Sequence, residues 1–104
     1  MPKKQILKSP GIIHIEAMGK PPGCKLIRVS ADIENSRIKT ISIRGDFFAN
    51  PEEAFERAQD RLIGTALSGA GENFGLFLRE EGVETLGISG AALGEILTRA
   101  GQNL

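Results

Sequence analysis

One stretch decides the fold of this chain: Ile41-Ser42-Ile43-Arg44-Gly45-Asp46-Phe47-Phe48, followed by Asn50-Pro51-Glu52-Glu53. Hydrophobic and polar residues alternate along its first half, which predicts a strand with Ile41, Ile43 and Phe47 on one face. Gly45 interrupts this strand without a side chain, which indicates a bulge or a close approach by another backbone. The Asn-Pro-Glu-Glu sequence is typical of a helix start, with Asn50 as the cap.

Two adjacent phenylalanines, Phe47 and Phe48, end this strand in a chain that has five Phe and no Trp or Tyr. Neighbouring strand residues point to opposite faces, so both rings cannot enter the same core. We therefore expect one of them to face something else. The alternative is that a bulge lets both rings fill the core while Asp46 caps the turn into the helix.

The same alternation predicts three strands in all: Gly11–Met18, Cys24–Glu34 and Ile38–Phe47. Asn35-Ser36 suits a tight turn between the last two, because Asn tolerates a positive φ. Helical periodicity then predicts three helices: Pro51–Ile63, Glu72–Glu81 and one that begins at a Ser89 cap. The predicted fold class is α+β, a three-stranded antiparallel meander followed by about three helices packed on one face.

A chain of 104 residues is expected to form one domain, with a basic lead-in over 1–10, strands over 11–48 and helices over 51–101. Its 40% hydrophobic and 25% charged content is typical of a soluble globular protein. No apolar run approaches the ~20 residues of a membrane span, and Met1–Lys4 lacks the apolar stretch of a signal peptide. We expect no membrane association and a cytoplasmic location.

Charge is divided unevenly between the two halves of the chain. The first 50 residues hold nine Lys/Arg and four Asp/Glu, and the remainder holds four and nine, so the predicted sheet layer is basic and the helix layer acidic. Such a distribution favours an acidic partner or a nucleotide on the sheet side. The alternative is that each half only solvates its own outer face.

The chemistry-bearing residues are few. His14 and Cys24 are single, which excludes a histidine pair, a disulfide within the chain and a multi-cysteine metal site. We expect no metal site and no catalytic residue, and we interpret His14 as a surface residue on the polar face of its strand. Cys24 beside Lys25 leaves two roles open, a sulfur acceptor and a small half-buried residue.

Two features of the sequence bear on nucleotide or nucleic-acid binding: a glycine-rich segment and the basic strands. The glycine-rich segment Gly69–Gly75 has the wrong spacing for a phosphate loop and follows a helix, so we interpret it as a flexible connection. The strands are basic but lack aromatic residues at their centres, which predicts no nucleic-acid binding.

Four segments together resemble a known family: Lys25-Leu26-Ile27-Arg28, the strand from Arg37 to Phe48, Pro51-Glu52-Glu53-Ala54-Phe55 and Leu62-Ile63-Gly64. They resemble the carboxy-terminal accessory domain of lipoate–protein ligases, in which a strand ending in Gly-Asp-Phe-Phe precedes a helix ending in Leu-x-Gly. The resemblance covers about residues 11–64, and Gly87-Ile88-Ser89 with the last helix fits more loosely.

This resemblance implies a free-standing small subunit of a two-chain lipoate–protein ligase. The implied partner is a large catalytic subunit that uses ATP, Mg and lipoate to form lipoyl-AMP and transfers the lipoyl group to a lysine of a lipoyl-domain acceptor protein. The small domain of this family assists activation and packs over the active site as a mobile lid. The motifs of the catalytic domain are absent from this sequence, so the resemblance implies an accessory subunit that binds no cofactor alone.

The resemblance also implies candidate site residues. A partner interface is expected at four consecutive residues: Gly45, Asp46, Phe47 and Phe48. Three residues of the basic strands are expected to supply charges on the nucleotide side: Arg28, Lys39 and Arg44. Two other functions stay open, a single-cysteine sulfur acceptor of similar fold and a generic protein-interaction module with an exposed Phe patch.

Overall fold

The protein is a four-stranded antiparallel sheet with helices packed on one face. The computed structural model describes residues 4–9 and 11–101, the first six through their backbone alone. The sheet order is β1-β2-β3-β4, with these bounds: β1 Lys4–Ser9, β2 Ile12–Gly19, β3 Ile27–Glu34 and β4 Arg37–Gly45. A second sheet pairs two short strands: β5 Phe48–Asn50 and β6 Glu84–Leu86. The helices are α1 Glu52–Asp60, α2 Ala70–Glu80 and α3 Gly90–Gly101, with a 3₁₀ turn over Leu67–Gly69.

The predicted α+β class is confirmed. The three predicted strands correspond to β2, β3 and β4, which form the expected antiparallel meander, and the three helices follow them in the chain. Alternate residues of these strands share one hydrophobic core with the inner faces of the helices. The two-residue turn is also confirmed, since Asn35 and Ser36 have φ of 54° and 63°. Within the described ranges, no helix is long and apolar enough to cross a membrane.

The basic lead-in contains a strand that the sequence analysis did not predict. Lys4–Ser9 pairs with β2 as β1 and forms one edge of the main sheet. Its sequence, Lys-Gln-Ile-Leu-Lys-Ser, places its two apolar residues side by side and so lacks the alternation that marks a half-buried strand. This strand therefore depends on its pairing with β2, because its own sequence lacks the pattern of a strand.

The third predicted strand is irregular at both ends. A β-bulge leaves Lys39 without its own partner on β3, because Asp32 pairs with Thr40 while Ile33 pairs with Ile38. The bulge allows Ile38 and Ile41, three positions apart, to be buried on the same face. At the other end β4 stops at Gly45 instead of Phe47, and the chain turns away to begin β5.

The predicted Asn50 cap is wrong. Asn50 lies in β5, opposite Glu84, and Pro51 takes the N-cap position of α1 without any side-chain cap hydrogen bond. Pairing with β6 places Asn50 in a strand, so Asn50 does not cap α1 as the local sequence predicts. The Ser89 cap of α3 is confirmed, because the backbone N–H of Ala92 donates to Ser89 Oγ at 3.1 Å.

The prediction that the glycine-rich segment Gly69–Gly75 is a flexible connection is wrong, because most of this segment forms the first turns of α2. A Cβ at Gly71 would lie 2.8 Å from the carbonyl oxygen of Gly90, and a Cβ at Gly90 would collide with the carbonyl oxygen of Gly71. Glycines at these positions let the backbones of α2 and α3 approach closely. Local helix propensity argued against this use, because glycine weakens an isolated helix.

Candidate functional site

Gly45 is where the main sheet, the turn and the chain before β3 meet. The backbone N–H of Asp46 donates to the carbonyl oxygen of Leu26 at 3.1 Å, and a Cβ at Gly45 would collide with that same oxygen. The predicted close approach by another backbone is therefore confirmed. A glycine here fixes the path of the chain into Asp46-Phe47-Phe48.

The two phenylalanines separate as predicted. Phe47 is half-buried and packs on Phe55 with ring centroids 5.3 Å apart, and Phe55 meets Phe74 edge-on at 5.7 Å. Phe48 is 57% exposed. Asp46 is exposed, and its side chain makes no hydrogen bond or ion pair within the described part of the chain. The alternative with two core phenylalanines and a capping Asp46 is therefore wrong.

The predicted cations fall at opposite ends of the sheet. Arg28 and Arg44 are direct partners on β3 and β4, one residue from the Gly45 row. We call this region, Arg28 with Arg44 and Gly45–Phe48, the Gly45 end. Lys39 lies in the β-bulge five residues from Arg44, roughly 16 Å along an extended strand. We call that region, residues 35–39, the hairpin end.

The cations also differ in their bonding. Arg28 makes no hydrogen bond or ion pair with the described residues. Arg44 lies 3.7 Å from a carboxylate oxygen of Glu56 and donates to the carbonyl oxygen of Ile43 at 3.0 Å. Lys39 has a partner in Glu34 at 3.7 Å. The Gly45 end thus holds a like-charged arginine pair, and one member of that pair has no partner there.

A groove of about 360 Å³ opens beside the Gly45 end, between β4 and α1. Its walls combine apolar and charged side chains: Ile43, Arg44, Gly45, Phe47, Ala49, Glu52, Phe55 and Glu56. Both signs of charge line it, so the groove does not select an anion by charge alone. Two of its lining residues, Phe47 and Ala49, are the chain neighbours of exposed Phe48.

Two exposed apolar residues near this end were not predicted. Met18, directly opposite Arg28, is 61% exposed, and Leu86, directly opposite Phe48, is 71% exposed. Val83-Glu84-Thr85-Leu86 does not alternate, since its two polar residues are adjacent, so the local sequence contains no strand signal here. The exposure of Leu86 depends on its pairing with a strand over 30 residues away.

His14 belongs to a second polar cluster, on the open face of the sheet. Its Nδ1 lies 2.8 Å from Asp32 Oδ1 and its Nε2 2.9 Å from Glu16 Oε2, while Thr40 donates to Asp32 Oδ2 at 3.0 Å. The hydrogen bonds to Glu16 and then to Asp32 raise the pKa of His14 above its usual 6.5, against a smaller opposing effect of burial. The cluster ties β2, β3 and β4 together. Across the described residues, no three His, Cys, Asp or Glu are grouped to hold a metal ion.

The position of Cys24 favours the second of its two predicted roles. Cys24 is half-buried, packs against the hydrophobic core, and its backbone N–H closes a turn to Pro21 at 2.9 Å. A thiol that acts as a sulfur acceptor must be open to attack. The packing of Cys24 favours a structural role.

Together these features define a class: a small α+β domain whose distinctive surface is an exposed apolar and basic sheet end. Comparison with known proteins is consistent with this class. The chain is 48% identical over 42 residues to lipoate-protein ligase A subunit 2 of Thermoplasma acidophilum, a match that spans 40% of this chain and 45% of that relative's length. No protein-family model matches it.

A solved structure extends the match to most of the chain. It is a chain of the archaeal lipoylation system of Thermoplasma acidophilum, described as a bi-partite lipoate protein ligase and its E2 lipoyl domain. The two share 32% sequence identity with a TM-score of 0.67, over 81% of this chain and 96% of the other. This chain belongs to the family of lipoate–protein ligase A subunit 2, and the resemblance found in the sequence is confirmed.

Proposed function

We propose that this chain is the non-catalytic accessory subunit of a two-chain lipoate–protein ligase. The observation that carries the proposal is the match to nearly the whole length of a chain from the archaeal lipoylation system, at 32% identity. The proposed partners are a large catalytic subunit and, through it, lipoyl-domain acceptor proteins. A cytoplasmic location is part of the same proposal.

The proposed reaction has two steps, both on the catalytic subunit. A carboxylate oxygen of lipoate attacks the α-phosphorus of ATP, forms lipoyl-AMP and releases pyrophosphate. The amine of an acceptor lysine then attacks the acyl carbon and releases AMP. We assign ATP, Mg and lipoate to the partner, because the sequence motifs of the catalytic domain are absent from this chain.

The contribution of this chain is to order the partner for the first step. Docking through Gly45, Asp46, Phe47 and Phe48 would exclude water and hold mobile loops of the partner in their active arrangement. Arg28 and Arg44 add positive potential at this end, which would attract the negative charge of the catalytic subunit, including that of an ATP bound to it. Lys39 is left out of the proposed surface, since it lies at the hairpin end and is paired with Glu34.

Separating the two steps tests this function. The catalytic subunit encoded by the same genome is supplied with ATP and lipoate, or with preformed lipoyl-AMP, in the presence and absence of this chain. We expect lipoyl-AMP formation to need both chains, while transfer from preformed lipoyl-AMP proceeds with the catalytic subunit alone. Adenylate formation that is equally fast without this chain would overturn the proposal.

The sulfur-acceptor alternative is tested in the same assay. Cys24→Ser removes the one thiol of the chain and keeps a side chain of similar size. We expect adenylate formation within twofold of the wild-type rate. Lipoyl-AMP formation that the wild-type chain does not stimulate, together with sulfur transfer from a persulfide donor to the wild-type chain but not to Cys24→Ser, would favour sulfur transfer over the ligase function.

A further inference from the structure

The small β5–β6 sheet presents an apolar ridge, which we define as Phe48 and Leu86. The two residues are direct cross-strand partners, so their Cβ atoms lie about 5 Å apart and their side chains form one continuous surface. They are 57% and 71% exposed. Single exposed apolar residues are ordinary on a protein surface, whereas adjacent ones form a patch, and contiguous exposed apolar surface is what marks interaction sites.

The ridge is held in place from below and from the side. Phe47 and Ala49, on either side of Phe48 in the chain, pack against the hydrophobic core. The backbone N–H of Lys25 donates to the carbonyl oxygen of Gly87 at 2.9 Å and ties the end of β6 to the segment before β3. A ridge fixed in this way loses little conformational entropy when a partner covers it.

A cation lies beside the ridge in that same segment, since a Cβ at Gly87, which follows Leu86, would be 2.6 Å from Lys25 Cγ. Arg28 stands three residues further along the chain on β3, with Arg44 directly opposite. Like charges directly opposite on neighbouring strands destabilise a sheet, and Arg28 makes no ion pair with the described residues to offset this. Carboxylates from a partner would remove that cost.

We propose that the ridge is the apolar centre of the surface by which this chain docks onto the catalytic subunit, so that β6 joins Gly45–Phe48 in the interface. This inference rests on the function proposed above and adds Leu86 to it. The matching surface of the catalytic subunit is an apolar cleft bordered by Asp or Glu. Interfaces of this kind are centred on a few buried anchors with a charged rim.

A second copy of this chain fits the ridge less well. A two-fold dimer contacts the same patch on both copies, and it would bring the Arg28–Arg44 pair towards the identical pair of the other copy. That arrangement adds like charge where the sheet already carries it. An acidic surface on a different protein has the opposite effect, and the catalytic subunit is the partner that the proposed function supplies.

Substitutions on and off the ridge test this docking surface. The affinity of the purified catalytic subunit for the wild-type chain and for Leu86→Ser and Phe48→Ser is measured by isothermal titration calorimetry. We expect both variants to bind at least tenfold more weakly. Ile63→Ser is the matched control, since Ile63 is 50% exposed and precedes Gly64, which bonds to the hairpin end. It should bind within twofold of wild type.

The outcomes separate the docking surface from the function itself. Ridge variants that bind within twofold of a tightly binding wild type would overturn the ridge and leave the accessory function standing. If the wild-type chain forms a dimer and Leu86→Ser is a monomer, the ridge binds a second copy of this chain, and that result would also overturn the proposed docking surface. Lipoyl-AMP formation that needs no second chain would overturn both. Thermal unfolding followed by circular dichroism confirms the fold of each variant, and Leu86→Lys replaces Leu86→Ser if serine unfolds β6.

Discussion

The two ends of the main sheet contain similar residues and bond them differently. At the hairpin end, Arg37 donates to the carbonyl oxygen of Gly64 at 2.9 Å, and Lys39 has Glu34 within 3.7 Å. At the Gly45 end, Arg28 has no such partner within the described part of the chain, and exposed Phe48 lies close by. Both ends are basic, but of these cations only Arg28, at the Gly45 end, has no hydrogen bond or ion pair with the described residues.

The backbone shows the same contrast. The segment after α1 runs along the hairpin end, where the N–H of Gly64 donates to Ile38 at 2.7 Å and the N–H of Leu67 donates to Ser36 at 2.9 Å. These bonds close an otherwise open edge of β4. A basic residue therefore does not mark a site by itself. Unpaired charge beside exposed apolar surface is the informative observation.

Gly45→Ala should have the largest effect, because its Cβ would collide with the carbonyl oxygen of Leu26, which is backbone and cannot rotate away. We expect the free energy of unfolding to fall by about 3 kcal/mol, measured by urea denaturation. Gly75→Ala is the control: its Cβ would meet Gly90 Cα at an ordinary 3.7 Å, and helix propensity favours Ala there by up to about 1 kcal/mol. Equal stability of Gly45→Ala and wild type would contradict the close approach.

Gln59→Met comes next. Gln59 is 4% exposed, and its Oε1 accepts the backbone N–H of Ile43 at 2.8 Å, on the outer edge of β4. Met fills similar space without an acceptor, so a buried N–H loses its partner at a cost of about 2 kcal/mol. Amide exchange at Ile43 should also become faster. Asp60→Asn, exposed on the same helix, should change stability by less than about 0.5 kcal/mol. An unchanged Ile43 exchange rate would show that another group satisfies this edge.

Arg28→Ala and Lys39→Ala compare the two ends directly. We expect Arg28→Ala to weaken binding to the catalytic subunit about fivefold, roughly 1 kcal/mol, at low salt, and less at 0.5 M salt. Lys39→Ala should stay within twofold. The measurement is the affinity at two ionic strengths. If the Lys39 variant loses as much as the Arg28 variant, charge is acting over the whole sheet and the distinction between the ends fails.

The His14 cluster gives the smallest effect, through pH. The folded-state pKa of His14 is raised above 6.5, so protonated His14 stabilises the fold fully below pH 6.5, and this contribution is lost as pH rises through the raised pKa. The difference in unfolding free energy between wild type and His14→Gln should therefore shrink from pH 6 towards pH 9. A difference that grows with pH would show that His14 is held neutral.

Sequence alone predicted the parts of this fold that local patterns determine. Alternation identified β2, β3 and β4, and the Gly45 interruption correctly indicated a backbone approach. It missed β6, because Glu84-Thr85-Leu86 is too short to show a strand pattern and is recognised only through its long-range pairing with β5. For the same reason it could not show that Asn50 serves a strand.

The candidate site depended on register in the same way. Sequence proposed Arg28, Lys39 and Arg44 as one group, since all three lie on basic strands. Pairing of β3 with β4 sets Arg28 opposite Arg44 and puts Lys39 in a bulge at the far end. Asp32 meets His14 through the pairing of β2 with β3, whereas Glu16 lies two residues from His14 on the same strand. Long-range pairing, which no local window contains, decides which charges meet.

The most direct test of the account is the rate of ATP- and lipoate-dependent lipoyl-AMP formation by the catalytic subunit with limiting amounts of this chain. Wild type is compared with Phe48→Ser at the Gly45 end and with Ile63→Ser, next to the hairpin end. We predict activation by wild type and by Ile63→Ser, and a loss of at least tenfold with Phe48→Ser. Activation by all three chains alike, or by none, would contradict the claim that this chain acts through its Gly45 end.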